Sequence, residues 1–316
     1  MERIAVLKRD KVPIPNGPQG TLLAALLLAG ILLLPCPTFA NWSPLIDRLV
    51  VDGLDESAIQ TLFSRPEVRF EPNAMSTKLK ELLKTTRTKP PALPSYNSKV
   101  VYRGYLREGM ITRARSYLME NTEFLESLSS EYCVPKEIIV SILLVETRLG
   151  DFVGGRWAFN SLASMALCTE LETIRPYLPK KLIGPRNQDL ARVICREKAD
   201  WAYAELKALI LYAFGSGFDL LSLPGSIYGA IGLCQFMPSN VLSYGVDADN
   251  DGCINLFTRA DAFSSIANYL RGHGWECTMD RTSQRRVILG YNRSSAYANT
   301  VLMVAEKLKD KPRAKR

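Results

Sequence analysis

Apolar residues recur at spacings of three and four positions along most of this chain, a pattern that predicts helices. The longest patterns occupy 112–131, 135–149, 199–214, 259–272 and 295–309. Upstream, amphipathic patterns around 44–50 and 56–63, followed by STKLKELLKT, predict shorter helices. The predicted fold class is therefore mainly α.

The first forty residues have a different pattern. Lys8, Arg9 and Lys11 precede the apolar run TLLAALLLAGILLLP, and small residues near Ala40 offer a cleavage site. Residues 1–40 are therefore predicted to be a signal peptide, with an N-terminal signal anchor as the alternative. Either segment implies export.

A second boundary is predicted at TTRTKPPALPSYNSK, because its prolines cannot continue a helix. We divide the remaining chain into an N-terminal helical region with this Pro-rich linker, 41–95, and a main region, 96–316. The main region ends in the basic tail KLKDKPRAKR.

Charge and composition narrow the candidate chemistry. The formal net charge is +8, which favours an anionic partner such as nucleic acid, an acidic membrane surface or an anionic wall polymer. The sequence contains neither GxxxxGK[ST] nor GxGxxG, and with one histidine and no CxxC it disfavours the usual zinc sites. Six cysteines follow the export segment, and their pairing stays open.

The stretch SILLVETRLG places one carboxylate, Glu146, in an apolar run. On a helical period Glu146 shares a face with Ile139, Ile142 and Leu143. A carboxylate in such surroundings either pairs with a cation such as Arg148 or Arg156, or has a raised pKa, as a general acid requires. These residues alone leave both interpretations open.

The glycine-rich stretch GSIYGAIGLCQFMPSN, 225–240, allows a ligand to approach the backbone closely. It offers Ser226, Gln235, Phe236 and Met237 as contacts. Close packing of helices is the alternative interpretation.

A third stretch, DADNDGCINLFTRAD, is typical of a calcium loop. Its candidate ligands are Asp247, Asp249, Asp251, the Cys253 carbonyl and Asp261. Thr258 stands at position 12, where such loops normally place a bidentate Glu, and Asp261 at position 15 would close a longer loop. The alternative is an ordinary Asp-rich turn.

Five ordered motifs between about 105 and 309 resemble the lytic murein transglycosylases of the membrane-bound lytic transglycosylase B family. They are VPKEIIVSILLVETRLGDF, GSIYGAIGLCQFMPS, DADNDGCINL, SIANYLRGHGW and GYNRSSAYANTVLMVAEKL. The resemblance implies a lysozyme-like α-helical core with an EF-hand-like calcium loop. It is weaker over 41–100, and 168–198 departs from it as an insertion would.

The resemblance also implies roles for individual residues. Glu146 would be the only catalytic acid, acting on peptidoglycan to give 1,6-anhydro products. The residues lining the glycan groove would be Ser226, Gln235, Tyr269, Tyr291 and Asn292, with Phe236 and Met237 as apolar contacts. Ca²⁺ would be structural, and catalysis would need no cofactor.

The implied setting is the periplasm, with or without a membrane tether. The implied partner is a peptidoglycan glycan strand rather than nucleic acid, and the chain is expected to be a monomer. A hydrolytic muramidase is one alternative; it needs a second carboxylate, for which Asp151, Asp219 and Glu276 are available. A non-catalytic peptidoglycan-binding protein is the other. A nucleophile paired with His273 is disfavoured, because no nucleophile elbow is present.

Overall fold

The computed structural model describes residues 40–85 and 100–309. The export segment up to Phe39, most of the Pro-rich linker and the end of the basic tail lie outside the described residues, so the predictions made for them stay predictions. Within 40–85 and 100–309, no helix is long and apolar enough to cross a membrane.

Helices dominate the described chain, which confirms the predicted mainly α fold class. In chain order they are α1 (Ser43–Val51), α2 (Glu56–Ser64), α3 (Asn73–Thr85), α4 (Glu108–Glu120), α5 (Thr122–Tyr132), α6 (Lys136–Thr147), α7 (Ala158–Leu167), α8 (Leu171–Ile174), α9 (Gln188–Ser216), α10 (Pro238–Tyr244), α11 (Arg259–Gly272), α12 (Arg281–Tyr291) and α13 (Ser295–Lys309). Two short strands, β1 (Arg156–Trp157) and β2 (Pro224–Gly225), pair antiparallel before α7 and after α9.

Two of the predicted helices have different bounds. The pattern over 112–131 belongs to two helices, which separate at Asn121, where the side-chain amide donates to the Tyr117 carbonyl at 2.7 Å. The pattern over 199–214 is only part of α9, which begins at Gln188 and so includes the end of the segment 168–198. Helices α7, α8, α10 and α12 were not predicted.

Two helices organise the core. Helix α6 is buried on nearly every side and packs against α4, α5, α11 and α13. Helix α9 packs against α3, α7, α8 and α10. The sequence analysis assigned Glu146 to one apolar face of its helix, but in the structure apolar residues surround α6 as a whole.

Residues 65–72, which connect α2 to α3, form an extended segment that runs along α7 and joins the N-terminal helices to this core. The Arg69 amide donates to Asn160 Oδ1 at 3.2 Å, and Asn160 Nδ2 donates to the Glu67 carbonyl at 2.9 Å. One helical turn further, the Glu71 amide donates to Ser164 Oγ at 2.7 Å. Asn160 and Ser164 are four residues apart, so one face of α7 satisfies the polar backbone of this segment.

Among residues 40–85 and 100–309, one disulfide is present, between Cys133 at the end of α5 and Cys277 before α12. Trp275 is buried beside it and donates its indole N–H to the Cys133 carbonyl at 3.0 Å. The pairing that the sequence left open is thus resolved for these two cysteines.

Candidate active site

Glu146 lies in the last turn of α6, at a point where the backbone becomes unusual. Arg148 and Leu149 both have positive φ, 54° and 64°, although neither is glycine, and Gly150 follows with φ 99°. Non-glycine residues in this region are uncommon and concentrate at functional sites. The helix that carries Glu146 therefore ends abruptly, directly after Thr147.

Burial raises the pKa of Glu146 from 4.5 to about 7. The side chain is half-buried, so solvent still reaches a part of it. Neither arginine considered as a partner pairs with it: Arg156 binds Glu71 at 3.4 Å, and Arg148 is exposed without an ion pair among the described residues. The raised pKa keeps the protonated form of the carboxyl group available at neutral pH.

No second carboxylate among the described residues contributes to the pKa of Glu146. Asp151 is held in an ion pair by Arg113, and Asp219 by Arg65 at 2.6 Å. These arginines lower the pKa of both aspartates. Two of the three carboxylates that the sequence offers for a muramidase mechanism are therefore held in ion pairs.

Tyr297 is the polar neighbour that sequence analysis missed. Its ring is 2% exposed in α13 and stacks parallel to Tyr291, with centroids 6.3 Å apart. The Tyr297 hydroxyl lowers the pKa of Glu146, which opposes the larger effect of burial. No other group among the described residues is a hydrogen-bond partner of this hydroxyl, so it is available to the carboxyl group of Glu146. The only signal in the sequence was a second tyrosine shortly after the Tyr-Asn pair.

The glycine-rich stretch forms a tight loop that presents Ser226 at its start. Ser226 Oγ accepts from the amides of Tyr228, at 3.3 Å, and Ala230, at 3.0 Å. The Ser226 hydroxyl hydrogen has no acceptor among the described residues, so it can be donated to a ligand.

Gln235 occupies the other end of the loop, with φ 50°. Its amide nitrogen donates to the carbonyls of Val153, at 3.1 Å, and Gly232, at 3.0 Å. Because both partners are acceptors, they fix the orientation of the amide, and Oε1 is left to accept a hydrogen bond. Ser226 thus offers a donor and Gln235 an acceptor.

Hydrogen bonds from two helices hold this loop beside Glu146. Thr147 Oγ1 donates to the Leu233 carbonyl at 3.0 Å and accepts from the Gly150 amide at 3.1 Å. The Tyr291 hydroxyl donates to the Cys234 carbonyl at 2.5 Å. The structure therefore brings together Glu146, Gln235 and Tyr291, which lie far apart in the sequence.

Phe236 and Tyr269 lie deeper than the sequence analysis expected. They are 1% and 5% exposed, their ring centroids are 5.4 Å apart, and the Tyr269 hydroxyl donates to the Gly290 carbonyl at 3.0 Å. His273 stacks on Tyr269 at the end of α11 and bonds its carbonyl at 2.8 Å. The Phe236 and Tyr269 rings are therefore packed in the interior behind the loop and offer no open face to a ligand.

The remaining predicted contacts lie closer to solvent. Met237 is half-buried at the start of α10, and Asn292 is exposed at the end of α12, directly after Tyr291. Asn292 therefore lies at the surface next to the aromatic rings.

The predicted calcium loop has a suitable donor set. Carboxylate oxygens of Asp247, Asp249 and Asp261 lie within 4.8 Å of one another. Clustered carboxylate oxygens are the ligands that Ca²⁺ prefers. Asp251 stands apart from this group and accepts from the Cys253 amide at 2.8 Å. Thr258, at position 12, caps α11 by accepting from the Asp261 amide at 3.4 Å.

A backbone hydrogen bond joins the predicted calcium loop to the glycine-rich loop of the candidate site. The Leu233 amide donates to the Leu256 carbonyl at 2.8 Å. A Cβ added at Gly232 would lie 2.4 Å from Leu256, so only glycine allows this approach.

Comparison with known proteins decides the family. Residues 39–284 match the family described as "Transglycosylase SLT domain". The chain belongs to this family. Its membership confirms the family resemblance inferred from the five motifs, and the match also includes residues 41–100, where the resemblance was weaker.

Individual relatives agree with this assignment. The Membrane-bound lytic murein transglycosylase B of Escherichia coli is 30% identical over 241 residues, which are 74% of this chain and 57% of that protein. The match thus spans little more than half of that relative.

Two crystal structures show the same fold. Slt35, an Escherichia coli lytic transglycosylase in complex with calcium, has a TM-score of 0.63 at 22% identity, over 86% of this chain and 93% of Slt35. SltB3 of Pseudomonas aeruginosa in complex with NAG-anhNAM-pentapeptide has a TM-score of 0.61 at 19% identity, over 86% of this chain and 79% of SltB3. These likenesses confirm the predicted lysozyme-like fold of the family.

Proposed function

We propose that this chain is a lytic transglycosylase that cleaves the β-1,4 bond between N-acetylmuramic acid and N-acetylglucosamine in peptidoglycan without consuming water. The observation that carries the proposal is Glu146, a half-buried carboxyl group with a pKa near 7 and no carboxylate partner nearby among the described residues. Family membership and the relatives' names support it.

In the first step, protonated Glu146 donates its proton to the glycosidic oxygen as the bond to C1 of N-acetylmuramic acid breaks. The leaving strand departs with a free hydroxyl, and the 2-acetamido group stabilises the positive charge at C1. A pKa near 7 keeps the acid form available at neutral pH. One carboxyl group suffices because the 2-acetamido group of the substrate takes the place of the second carboxylate that glycosidases normally use.

In the second step, ionised Glu146 accepts the proton of the C6 hydroxyl while O6 bonds to C1. The product is a 1,6-anhydro sugar, and Glu146 regains its proton. Tyr297 would support this step, because its hydroxyl favours the ionised form of Glu146. The complex of SltB3 with an anhNAM-containing ligand agrees with such a product.

The polar groups of the loop suit the substrate. Gln235 Oε1 would accept from the acetamido N–H, and the Ser226 hydroxyl would donate to a carbonyl or carboxylate oxygen. Asn292 and Tyr291 would contact the strand from α12. Phe236 and Tyr269 would act indirectly, by supporting this loop.

We further propose that Asp247, Asp249 and Asp261 hold a structural Ca²⁺, as the calcium complex of Slt35 suggests, with Asp251 and the Cys253 carbonyl completing the site. The ion would stiffen the loop, and no chemical step passes through it. The periplasm is the proposed location, reached through the export segment 1–40.

Digestion of purified peptidoglycan tests the reaction. Mass spectrometry should find anhydro-muropeptides, and Glu146→Gln should lower their yield by orders of magnitude. Products heavier by one water would instead indicate a muramidase. Retained glycan binding without any cleavage by the wild type would indicate a non-catalytic binding protein.

A further inference from the structure

Two large aromatic rings are exposed on the segment that joins the end of α6 to α7. Phe152 is 63% exposed and Trp157 is 45% exposed. We call residues 151–157 the bridging segment, because it contacts three parts of the candidate site. Aromatic side chains carry large apolar faces and contribute strongly to binding interfaces.

The bridging segment is fixed to both ends of the glycine-rich loop. Its Val153 carbonyl accepts from Gln235, and Trp157 in β1 pairs with Pro224 in β2, two residues before Ser226. The Phe152 amide donates to the Thr147 carbonyl at 3.1 Å, next to Glu146.

Close backbone contact makes this attachment rigid. A Cβ added at Gly154 would lie 2.1 Å from the Gly225 carbonyl oxygen, so the two backbones touch. The Phe152 ring lies within van der Waals distance of the position that a Gly155 Cβ would take. The rings are thus held on a scaffold shared with the site residues.

The charges of the bridging segment are already paired. Asp151 binds Arg113, and Arg156 binds Glu71. What the segment presents to a ligand is therefore chiefly its aromatic surface. Two aromatic residues that the family resemblance implied as glycan contacts, Phe236 and Tyr269, are buried.

We propose that Phe152 and Trp157 form a sugar-binding platform that extends the glycan site beyond the bond cleaved at Glu146. The apolar faces of pyranose rings in the same strand would pack on these two side chains. This inference rests on the proposed function. The continuity of the bridging segment with Gln235 and the β2–Ser226 turn favours a glycan over a lipid or protein as the occupant.

Oligosaccharide binding tests the platform in the full chain. The parent protein carries Glu146→Gln. N-acetylglucosamine oligomers of increasing length are titrated into this parent and into its Phe152→Ala and Trp157→Ala derivatives, and binding is measured by calorimetry. Each substitution should weaken binding of the long oligomers on the order of tenfold, equivalent to about 1.4 kcal/mol, and affect the shortest ones less. Trp157→Phe, which keeps an aromatic face, should restore most of the loss.

Phe214→Ala is the matched control, because Phe214 is 52% exposed on α9 and outside the bridging segment. Equal affinities for Phe152→Ala, Trp157→Ala and Phe214→Ala at every oligomer length would overturn the platform. Vesicles of anionic lipid are the rival probe: ring-dependent binding to vesicles, with ring-independent binding to oligomers, would overturn it too.

Parallel digestion of peptidoglycan by the wild type separates the two proposals. Anhydro products together with ring-independent binding refute the platform and leave the proposed function standing. No anhydro products, together with no binding of oligomers, refute the proposed function itself.

Discussion

Replacing Glu146 by Gln should make the protein more stable while it removes the proposed activity. Glutamine has nearly the same shape but cannot ionise. In the wild type, burial disfavours the ionised carboxylate in the folded state and raises its pKa from 4.5 to about 7. The variant is relieved of this effect.

The size of the gain follows from the two pKa values. Below pH 4.5 the carboxyl group is protonated in both states and makes no difference. Between 4.5 and 7 the unfolded chain loses the proton and the folded chain keeps it, so the free energy of unfolding falls as pH rises. Above pH 7 the full difference is about 3 kcal/mol, at about 1.36 kcal/mol per pH unit.

Urea denaturation at pH 5 and pH 8 measures this difference. Relative to the wild type, Glu146→Gln should gain about 3 kcal/mol at pH 8 and less than about 1 kcal/mol at pH 5. The control is Glu123→Gln, an exposed carboxylate in the first turn of α5 without an ion pair among the described residues. Its effect should be small and nearly the same at both pH values.

A variant that gains no more at pH 8 than at pH 5 would refute the reasoning. The pKa of Glu146 would then not be raised by burial. The proposed acid would have lost its physical basis even if the substitution abolished activity.

Three further predictions concern other parts of the site. Tyr297→Phe removes the hydroxyl that lowers the pKa of Glu146, so the alkaline limb of the pH–rate profile should move to higher pH. A limb that moves lower or stays fixed contradicts the proposed contact. Ca²⁺ should raise the melting temperature, and Asp249→Asn should reduce that rise, measured by calorimetry with and without chelator; an equal rise in both proteins would remove Asp249 from the ligand set. Gly154→Ala should lower the free energy of unfolding by about 1–3 kcal/mol in urea denaturation, because its φ is 119° and the new Cβ would overlap Gly225. The control is Gly184→Ala, which should change stability far less because nothing lies within 4 Å of the new Cβ.

The fold was predictable wherever a helix buries a regular apolar pattern. Helices α6, α11 and α13 carry such patterns and were found within a few residues of their bounds. Helix α12 contains RTSQRR and shows little apolar periodicity, since it buries mainly its C-terminal half. Helix α7 has small and polar residues that are nonetheless buried, because Asn160 and Ser164 bond a backbone segment distant in sequence.

Motifs in the sequence predicted candidate site residues, but they did not predict how deeply each residue is buried. The family resemblance implied Gln235 and Tyr291 as groove residues. Gln235 lies within the glycine-rich loop and the Tyr291 hydroxyl bonds the loop at the Cys234 carbonyl, while their contact with glycan stays a prediction. Nothing in the sequence shows that Phe236 is covered by other rings while Phe152 is exposed, because both are single aromatic residues in glycine-containing stretches. Exposure depends on the tertiary contacts of the loop, which local patterns do not encode.

The contact between the extended segment and α7 has a practical consequence for anyone who trims this protein. Removing residues 40–85 would leave Asn160 and Ser164 without their backbone partners and would uncover the apolar surface under Phe63 and Met75. Exposed apolar surface of this kind promotes aggregation. A recombinant fragment that starts at residue 100 should therefore be recovered mainly as insoluble material, whereas one that starts at residue 40 should remain in solution.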